Sequence, residues 1–418
     1  MTTSVQNIQS TVCFVQMSTL MREGAVAMIP RLLKHELLEA SLQLPVVAIL
    51  GPRQSGKTTL AKATFHKHTY ISLEDLDTRQ RAIEDPRKFL HDICNGNTNG
   101  VILDEFQNAP AILSYIQTLV DQAERPGYFI LTGSQNFLVN QEITQTLAGR
   151  IALLTLLPLS IAELKAEMLL PETTEGILFK GLYPRIYAHN VNPATWYRDY
   201  IETYLERDVR QITQVKDLTQ FKYFVQLCAG RVGQIINYAS LASDCGIDVR
   251  TAKEWFSLLE ASYVVFTLQP HHKNFNRRLV KAPKLYFYDT GLVCSLLKIE
   301  TSDQLLTHYM RGNLFECLII AELYKRFFNK NRRPSISFWR DNHGQEIDCI
   351  IEKASQLIPI EIKSCMTPYP KIFNELQKWY EVSESTTANG YVIYGGNETQ
   401  SRLHGTALSW KNLDALDV

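Results

Sequence analysis

The residues best suited to chemistry lie in Gly51-Pro-Arg-Gln-Ser-Gly-Lys-Thr58, with Thr59 directly after. A glycine, four residues and Gly-Lys-Thr is the spacing of a phosphate-binding loop. Gly51 and Gly56 permit a tight turn and a close approach of backbone to an anion. Pro52, Arg53, Gln54 and Ser55 form the turn between them. Lys57 can reach the β- and γ-phosphates of a nucleotide, and Thr58 can offer its hydroxyl to Mg²⁺. The setting agrees. Leu44-Pro-Val-Val-Ala-Ile-Leu50 is an apolar run that reads as a buried parallel strand. Thr59-Leu-Ala-Lys-Ala-Thr-Phe65 reads as the start of a helix, whose dipole adds to the anion site.

A nucleotide hydrolase also needs a carboxylate for the metal and a group to orient water. Gly100-Val-Ile-Leu-Asp-Glu105 offers both at the end of a short apolar strand. Asp104 would hold Mg²⁺, and Glu105 would polarise the attacking water as general base. A further strand, Gly127 to Thr132, ends in Gly133-Ser134-Gln135-Asn136. Ser134 is the candidate that senses the γ-phosphate; the alternative is a polar turn capping the next helix. Arg150, in Leu147-Ala-Gly-Arg, could contact a γ-phosphate, also from a neighbouring subunit, or be a surface arginine.

A second constellation lies near the C-terminus. Glu316 falls in a helical pattern, Leu314 to Leu323. Asp348 falls in the strand Glu346-Ile-Asp-Cys-Ile-Ile-Glu352, and Glu361 and Lys363 in Ile358-Pro-Ile-Glu-Ile-Lys-Ser364. Residues two apart on a strand share a face, so Glu361 and Lys363 point the same way. A hairpin can bring Asp348 beside them. An aspartate followed by Glu-x-Lys on paired strands resembles the restriction-endonuclease-like nucleases. That resemblance implies a Mg²⁺ site on Asp348 and Glu361, completed by Glu316, with Lys363 activating water or stabilising the phosphorane. Arg332, Arg333 and Arg340 would suit a phosphodiester, or be solvated surface.

With 418 residues, the chain is too long for one core. Its 45% hydrophobic and 21% charged content is that of an ordinary soluble protein, and its formal net charge is zero. That excludes a uniformly basic surface and leaves local nucleic-acid patches open. The eight cysteines are scattered, without a Cys-x-x-Cys pair, which argues against zinc and against a disulfide framework and suits a reducing cytoplasm. No apolar run approaches about twenty residues, so no membrane span is expected. Residues 1–27 read as an extension outside the first domain, without a basic leader; Met21 and Met28 are alternative starts.

Residues 28–165 alternate strand and helix, the pattern of a doubly wound α/β domain with its ligand at the strand carboxyl ends. Tyr70 to Leu73 is a short strand, and Thr78 to Leu90 a helix that either runs through Pro86 or breaks there. Ala109 to Gln122 is another helix, and Ile151 to Leu157 a strand closed by Pro158. Residues 166–300 begin with a charged helix from Trp196 to Gln211. They continue as helix, Gly246 turn and second helix, with Asp248 as its cap. Two strands, Tyr263 to Leu268 and Lys284 to Tyr288, then flank a loop carrying Lys273, Arg277, Arg278, Lys281 and Lys284. This predicts a winged helix whose basic wing meets phosphates, or one used only for packing. Residues 301–418 return to mixed α/β.

With these parts placed, the chain resembles a prokaryotic group of AAA-type ATPases that carry a C-terminal domain of unknown function 4143. The matching strings include Ser72-Leu-Glu-Asp75, Asp104-Glu-Phe-Gln107, Leu131-Thr-Gly-Ser134 and Leu147-Ala-Gly-Arg150. Further along are Gly181-Leu-Tyr-Pro184, Tyr204-Leu-Glu-Arg-Asp208, Tyr288-Asp-Thr-Gly-Leu292 and Gly312-Asn-Leu-Phe-Glu316. Phe106 and Leu182 depart from the residues usual in that group. The resemblance implies a P-loop NTPase domain that binds ATP and Mg²⁺ through Lys57, Thr58 and Asp104 and hydrolyses ATP through Glu105. It also implies a nuclease-like C-terminal domain. DNA and a protein are the candidate partners, and Arg150 leaves room for an oligomer.

Overall fold

The computed structural model describes residues 28–123, 125–134, 146–205, 218–271, 280–354, 356–384 and 388–416. The expected N-terminal extension lies outside the described residues. So do Gln135, Asn136 and the loop residues Lys273, Arg277 and Arg278.

Among the described residues, Val46–Gly51 (β1), Thr69–Ser72 (β2), Val101–Asp104 (β3), Phe129–Ser134 (β4) and Ile151–Thr155 (β5) form a five-stranded sheet. Its order is β2-β3-β4-β1-β5, and every pairing is parallel. Alternate residues of β1 serve opposite faces, as the pleat requires. Val47 and Ile49 pack with Lys34–Gln43 (α1) and Lys57–Thr64 (α2). Val46, Ala48 and Leu50 pack toward Leu76–Glu84 (α3), Pro86–Cys94 (α4) and Ile112–Gln122 (α5). Both faces are covered, which is why β1 is apolar throughout. The helix expected over Thr78 to Leu90 is broken at Asp85, whose side chain caps α4 by accepting from Lys88 N ahead of Pro86.

The middle of the chain is helical. Ile161–Ala166 (α6), Thr174–Lys180 (α7), Pro184–Ala188 (α8) and Pro193–Tyr200 (α9) come first. The regular helix expected over Trp196 to Gln211 stops at Tyr200 and gives way to a π-helical turn, Ile201–Leu205. Leu218–Ala229 (α10), Tyr238–Cys245 (α11) and Val249–Ala261 (α12) follow. Gly246, at φ +71°, ends α11, and Asp248 caps α12 by accepting from Thr251 N at 2.9 Å. Val265–Leu268 (β6) and Lys284–Phe287 (β7) then pair antiparallel.

After Thr290–Leu296 (α13) and Arg311–Asn329 (α14) comes a second sheet. It is built from Ile336–Arg340 (β8), Glu346–Lys353 (β9), Gln356–Lys363 (β10), Tyr391–Tyr394 (β11), Gln400–Arg402 (β12) and Gly405–Ser409 (β13). The order is β12-β13-β11-β10-β9-β8. The β8, β9 and β10 strands are antiparallel, whereas β10, β11 and β13 run parallel. Asn374–Ser383 (α15) links β10 to β11 and covers one face through Leu376 and Trp379. The other face packs on α14, in a cluster that continues into the middle helices. One core therefore runs from the middle helices to the α14 face of this sheet, and a second lies under α15.

Two of the matching strings meet inside that core. Gly181 has φ +62°, and a Cβ there would lie 2.0 Å from Tyr197 Oη and 2.6 Å from Asp289. Asp289 accepts from Leu182 N at 2.6 Å and, as the cap of α13, from Leu292 N at 2.9 Å. Tyr187 Oη donates to the Gly181 carbonyl at 2.6 Å. Gly181-Leu-Tyr-Pro184 and Tyr288-Asp-Thr-Gly-Leu292 are joined by buried hydrogen bonds that only a missing side chain allows. Gly181→Ala is expected to destabilise the protein by about 2–4 kcal/mol through overpacking and backbone strain. Gly312→Ala, where an added Cβ meets nothing within 4 Å, is expected to change stability by less than about 1 kcal/mol. Thermal unfolding of the two variants checks the contrast.

Candidate functional site

β1 delivers the chain to Gly51 and α2 carries it away from Lys57, so buried elements clamp the loop at both ends. Gly51 has φ +149°, and a Cβ there would lie 2.2 Å from the Leu156 carbonyl oxygen. Gln54 and Gly56 also take left-handed backbone, at φ 63° and 93°. Lys57 Nζ donates to the carbonyls of Gly51 at 3.0 Å and Pro52 at 2.8 Å. Ser55 Oγ is buried with no hydrogen-bond partner among the described residues.

Asp104 ends β3 beside Thr132 of β4. One carboxylate oxygen accepts from Thr58 Oγ1 at 2.7 Å and from Thr132 Oγ1. The other accepts from Tyr70 Oη at 2.9 Å. Burial, and then the bond to Asp104, push the Tyr70 hydroxyl up to about 12. Glu105 stands in left-handed backbone at φ 54°, an uncommon conformation for a side chain of its size. Its carboxylate accepts from Gln107 Nε2 and, at 3.3 Å, from Ser134 Oγ. Gln107 Nε2 also reaches Ser134 Oγ at 3.1 Å. Ser134 in turn lies opposite Gly51 in the β1–β4 register. Lys57, Thr58, Asp104, Glu105 and Ser134 are thus gathered at the carboxyl edge of the parallel sheet. The Thr58 and Asp104 oxygens are a hard donor pair of the kind Mg²⁺ takes.

A pocket of about 570 Å³ opens over this edge. Arg53, Gln54, Ser55, Gly56 and Thr59 line it with Lys57, Thr58, Asp104 and Glu105. Its far wall comes from outside the sheet domain, from Pro184, Arg185 and His189. The near wall includes Arg31, which precedes α1 and is buried. Its guanidinium donates to Ser55 O at 2.6 Å, to Leu157 O at 2.6 Å and to Glu163 at 3.1 Å. Gln107, Arg31 and Arg185 escaped sequence reading. Gln107 and Arg185 stood within or next to matching strings, but Arg31 carried no local signal.

Arg150 lies where the surface-arginine alternative put it, partly exposed and away from the loop of its own chain. Its carbonyl accepts from Val46 N at 3.3 Å, so it sits at the amino edge of the sheet. Five steps of β1, roughly 16 Å at the usual strand rise, separate that edge from Gly51. Its guanidinium pairs with Asp121 at 2.5 and 3.1 Å. Within one chain it does not reach the phosphate loop.

The C-terminal residues also converge, in a cleft of about 870 Å³. Lys363 Nζ donates to Glu361 Oε2 at 2.7 Å and Asp348 Oδ2 at 3.4 Å. Ile362 N donates to Asp348 Oδ2 at 2.8 Å. Burial, and then the Asp348 charge, raise the Glu361 carboxyl to about 8 against the pull of Lys363. Burial and Asp348 likewise raise Glu316. Glu316 does not stand ready for a metal: its Oε1 accepts from Lys284 Nζ at 2.9 Å and Tyr286 Oη at 2.5 Å. Among the described residues no three His, Cys, Asp or Glu side chains form a metal-ready cluster. Lys284 is a correction to the basic-wing expectation. It opens β7, is buried and pairs with Glu316 and, at 2.5 Å, with Glu346. Its strand alternation with Tyr286 was visible in sequence, but nothing there said which face was inside.

Residues 43–165 match the family described as AAA domain. Residues 311–413 match a domain of unknown function (DUF4143), and residues 172–303 another (DUF8612). An uncharacterised protein of Mycobacterium tuberculosis is 28% identical over 331 residues, covering 78% of this chain and 71% of that protein. One of Methanocaldococcus jannaschii is 23% identical over 342 residues, covering 73% and 72%. Among solved structures, a Walker-type ATPase of Pyrococcus abyssi aligns with TM-score 0.43 and 15% identity, over 65% of this chain and 96% of that one. AMPPCP-bound DnaA from Aquifex aeolicus aligns with TM-score 0.28 and 15% identity, over 55% and 85%. The AAA match and the parallel sheet with its phosphate loop make the first domain a P-loop ATPase domain. Among the described residues no helix is long and apolar enough to cross a membrane.

Arg31→Ala removes a buried guanidinium from both Glu163 and the loop. It is expected to destabilise the protein by about 3–5 kcal/mol, as for one half of a buried ion pair, and to weaken nucleotide binding. Thermal unfolding with and without ATP reads both effects.

Proposed function

We propose that this protein is a Mg²⁺-dependent ATPase that couples hydrolysis to action on nucleic acid through a nuclease-like C-terminal cleft. One observation carries the first half: Lys57, Thr58, Asp104 and Glu105 converge on one pocket at the carboxyl edge of the sheet, with Ser134 bonded to Glu105. Lys57 would move from the loop carbonyls to the β- and γ-phosphates. Thr58 and Asp104 would hold Mg²⁺, which offsets the phosphate charge. Glu105 takes a proton from the attacking water, and Gln107 and Ser134 hold its carboxylate in place. Arg185 lines the same pocket and adds positive charge from α8. Arg150 could act only on the nucleotide of a second copy.

The second half is supported by Asp348, Glu361 and Lys363 meeting on one strand pair. It is also supported by the two helices around Gly246 followed by a strand pair, the parts of a winged helix. In the division we propose, residues 28–165 are the ATPase domain, 166–300 the helical and winged-helix part and 301–418 the nuclease-like part, in a cytoplasmic protein. The pairing of Lys284, Arg340 and Lys363 with carboxylates favours a second reading. There the nuclease fold is inert, and ATP switches the binding of a protein partner.

Lys57→Ala is expected to lower ATP turnover by at least about a hundredfold, the scale of losing one transition-state charge contact. An undiminished rate in an ATPase assay refutes the assignment. Plasmid and linear DNA, incubated with the protein, Mg²⁺ and ATP, should be bound or cut. Lys363→Ala should end cleavage and leave ATP turnover intact. DNA that is neither shifted nor cut, with a protein retained only when ATP is present, selects the second reading.

A further inference from the structure

We infer that Tyr70 is a positioning residue of the nucleotide site: its hydroxyl fixes the Asp104 carboxylate, so that Asp104 and Thr58 present a prearranged oxygen pair to Mg²⁺. This rests on reading the pocket as a Mg²⁺–ATP site, and it adds a residue that the phosphate-loop pattern does not contain. Tyr70 lies on β2, an edge strand of the sheet. It stands opposite Ile102 in the β2–β3 register, and Ser72 stands opposite Asp104. Alternation puts Ile102 and Asp104 on one face of β3, the face that α1 and α2 cover. Tyr70 shares that face, and Lys62 of α2 holds its Nζ 3.3 Å from the centre of the phenol ring. A cation over an aromatic face is attractive, so the ring is steadied from the phosphate-loop helix.

Tyr70 Oη donates to Asp104 Oδ2 at 2.9 Å. The other oxygen, Oδ1, accepts from Thr58 Oγ1 at 2.7 Å and from Thr132 Oγ1. A carboxylate turns easily about its last torsion, which has no sharp staggered wells. Donors on both oxygens stop that rotation. They come from β2 and β4, the strands on either side of β3, and from the start of α2. A hydroxyl carries one proton and two lone pairs. Thr58 gives its proton to Asp104 and keeps lone pairs for a cation. Tyr70 gives its proton to the Asp104 oxygen that Thr58 does not use. Asp104 and Thr58 line the pocket, whereas Tyr70 is not part of that lining and acts on it through Asp104. Losing such an outer partner typically weakens a metal site by about 10–100-fold.

Tyr70→Phe keeps the ring and its Lys62 contact and removes one hydroxyl at a partly exposed strand edge, so its melting temperature should stay close to that of the wild type. Nucleotide-dependent binding of Mn²⁺ to the full-length protein, with a non-hydrolysable ATP analogue and read by electron paramagnetic resonance, should weaken by about tenfold or more. Affinity for the same analogue in EDTA should be unchanged. In turnover, the Mg²⁺ concentration for half-maximal rate should rise by a similar factor, while kcat at saturating Mg²⁺ stays near the wild-type value. Tyr70→Ala should lose Mn²⁺ affinity as Tyr70→Phe does. Wild-type Mn²⁺ affinity in Tyr70→Phe overturns the inference and leaves the Mg²⁺–ATP reading standing. So does an equal loss of analogue binding with and without metal, which marks a merely structural role. A loss seen in Tyr70→Ala but not in Tyr70→Phe overturns it as well. If the wild-type protein binds the analogue no better with Mn²⁺ than in EDTA, the metal reading of the pocket falls and this inference falls with it.

Discussion

A charge taken out of water must find its partner where it is buried, and in this chain the partners come from distant stretches of sequence. Arg31, ahead of the first strand, meets Glu163 at the start of the middle region. Glu322 on α14 accepts from Ile161 N at 2.7 Å, and Lys325, one turn on, donates to Leu159 O at 3.0 Å. Asp289 holds Leu182 N, and Lys284 holds Glu316. Removing one partner of such a pair typically costs about 3–5 kcal/mol. These contacts therefore specify how the regions register against one another, where apolar packing alone would tolerate slippage.

Both sites inherit their composition from that registration. The nucleotide pocket is not made by the sheet domain alone: Arg31 braces the loop from one side, and α8 closes the other. α8 begins two residues after Leu182, whose N–H Asp289 holds. Asp289 lies three residues beyond Tyr286, which donates to Glu316 beneath the C-terminal cleft. Two stretches joined through Asp289 thus connect the α8 wall of one site to the support of the other. The middle region serves as their common frame.

Local chemistry was legible because its geometry is local. The phosphate loop needs only a strand, two glycines and a helix start, all within twenty residues of sequence. Asp104 and Glu105 were readable from an apolar strand ending in acids, and Asp348, Glu361 and Lys363 from a two-residue period across a hairpin. Where reading failed or left alternatives open, the missing information was spatial. Arg150 has the residue type of a phosphate contact, yet parallel strand direction sends it to the far edge of the sheet. Lys284 looked like one more cation of a basic loop until the fold turned it inward. Gly181 and Asp289 sit in strings that carried the resemblance, and only the fold shows that they serve packing and capping.

The sequence by itself determined the strand-loop-helix that meets phosphate, the acids that end β3, and the spacing of the C-terminal Asp and Glu-x-Lys. Each is set by backbone periodicity and by residues within a few positions of one another. Only the tertiary structure decided which charges neutralise which. Coulomb interactions and desolvation depend on distance and burial, and neither quantity exists until the chain has folded. That is why Glu316 could be assigned to a metal from its helix, while the folded protein gives it to Lys284 and Tyr286.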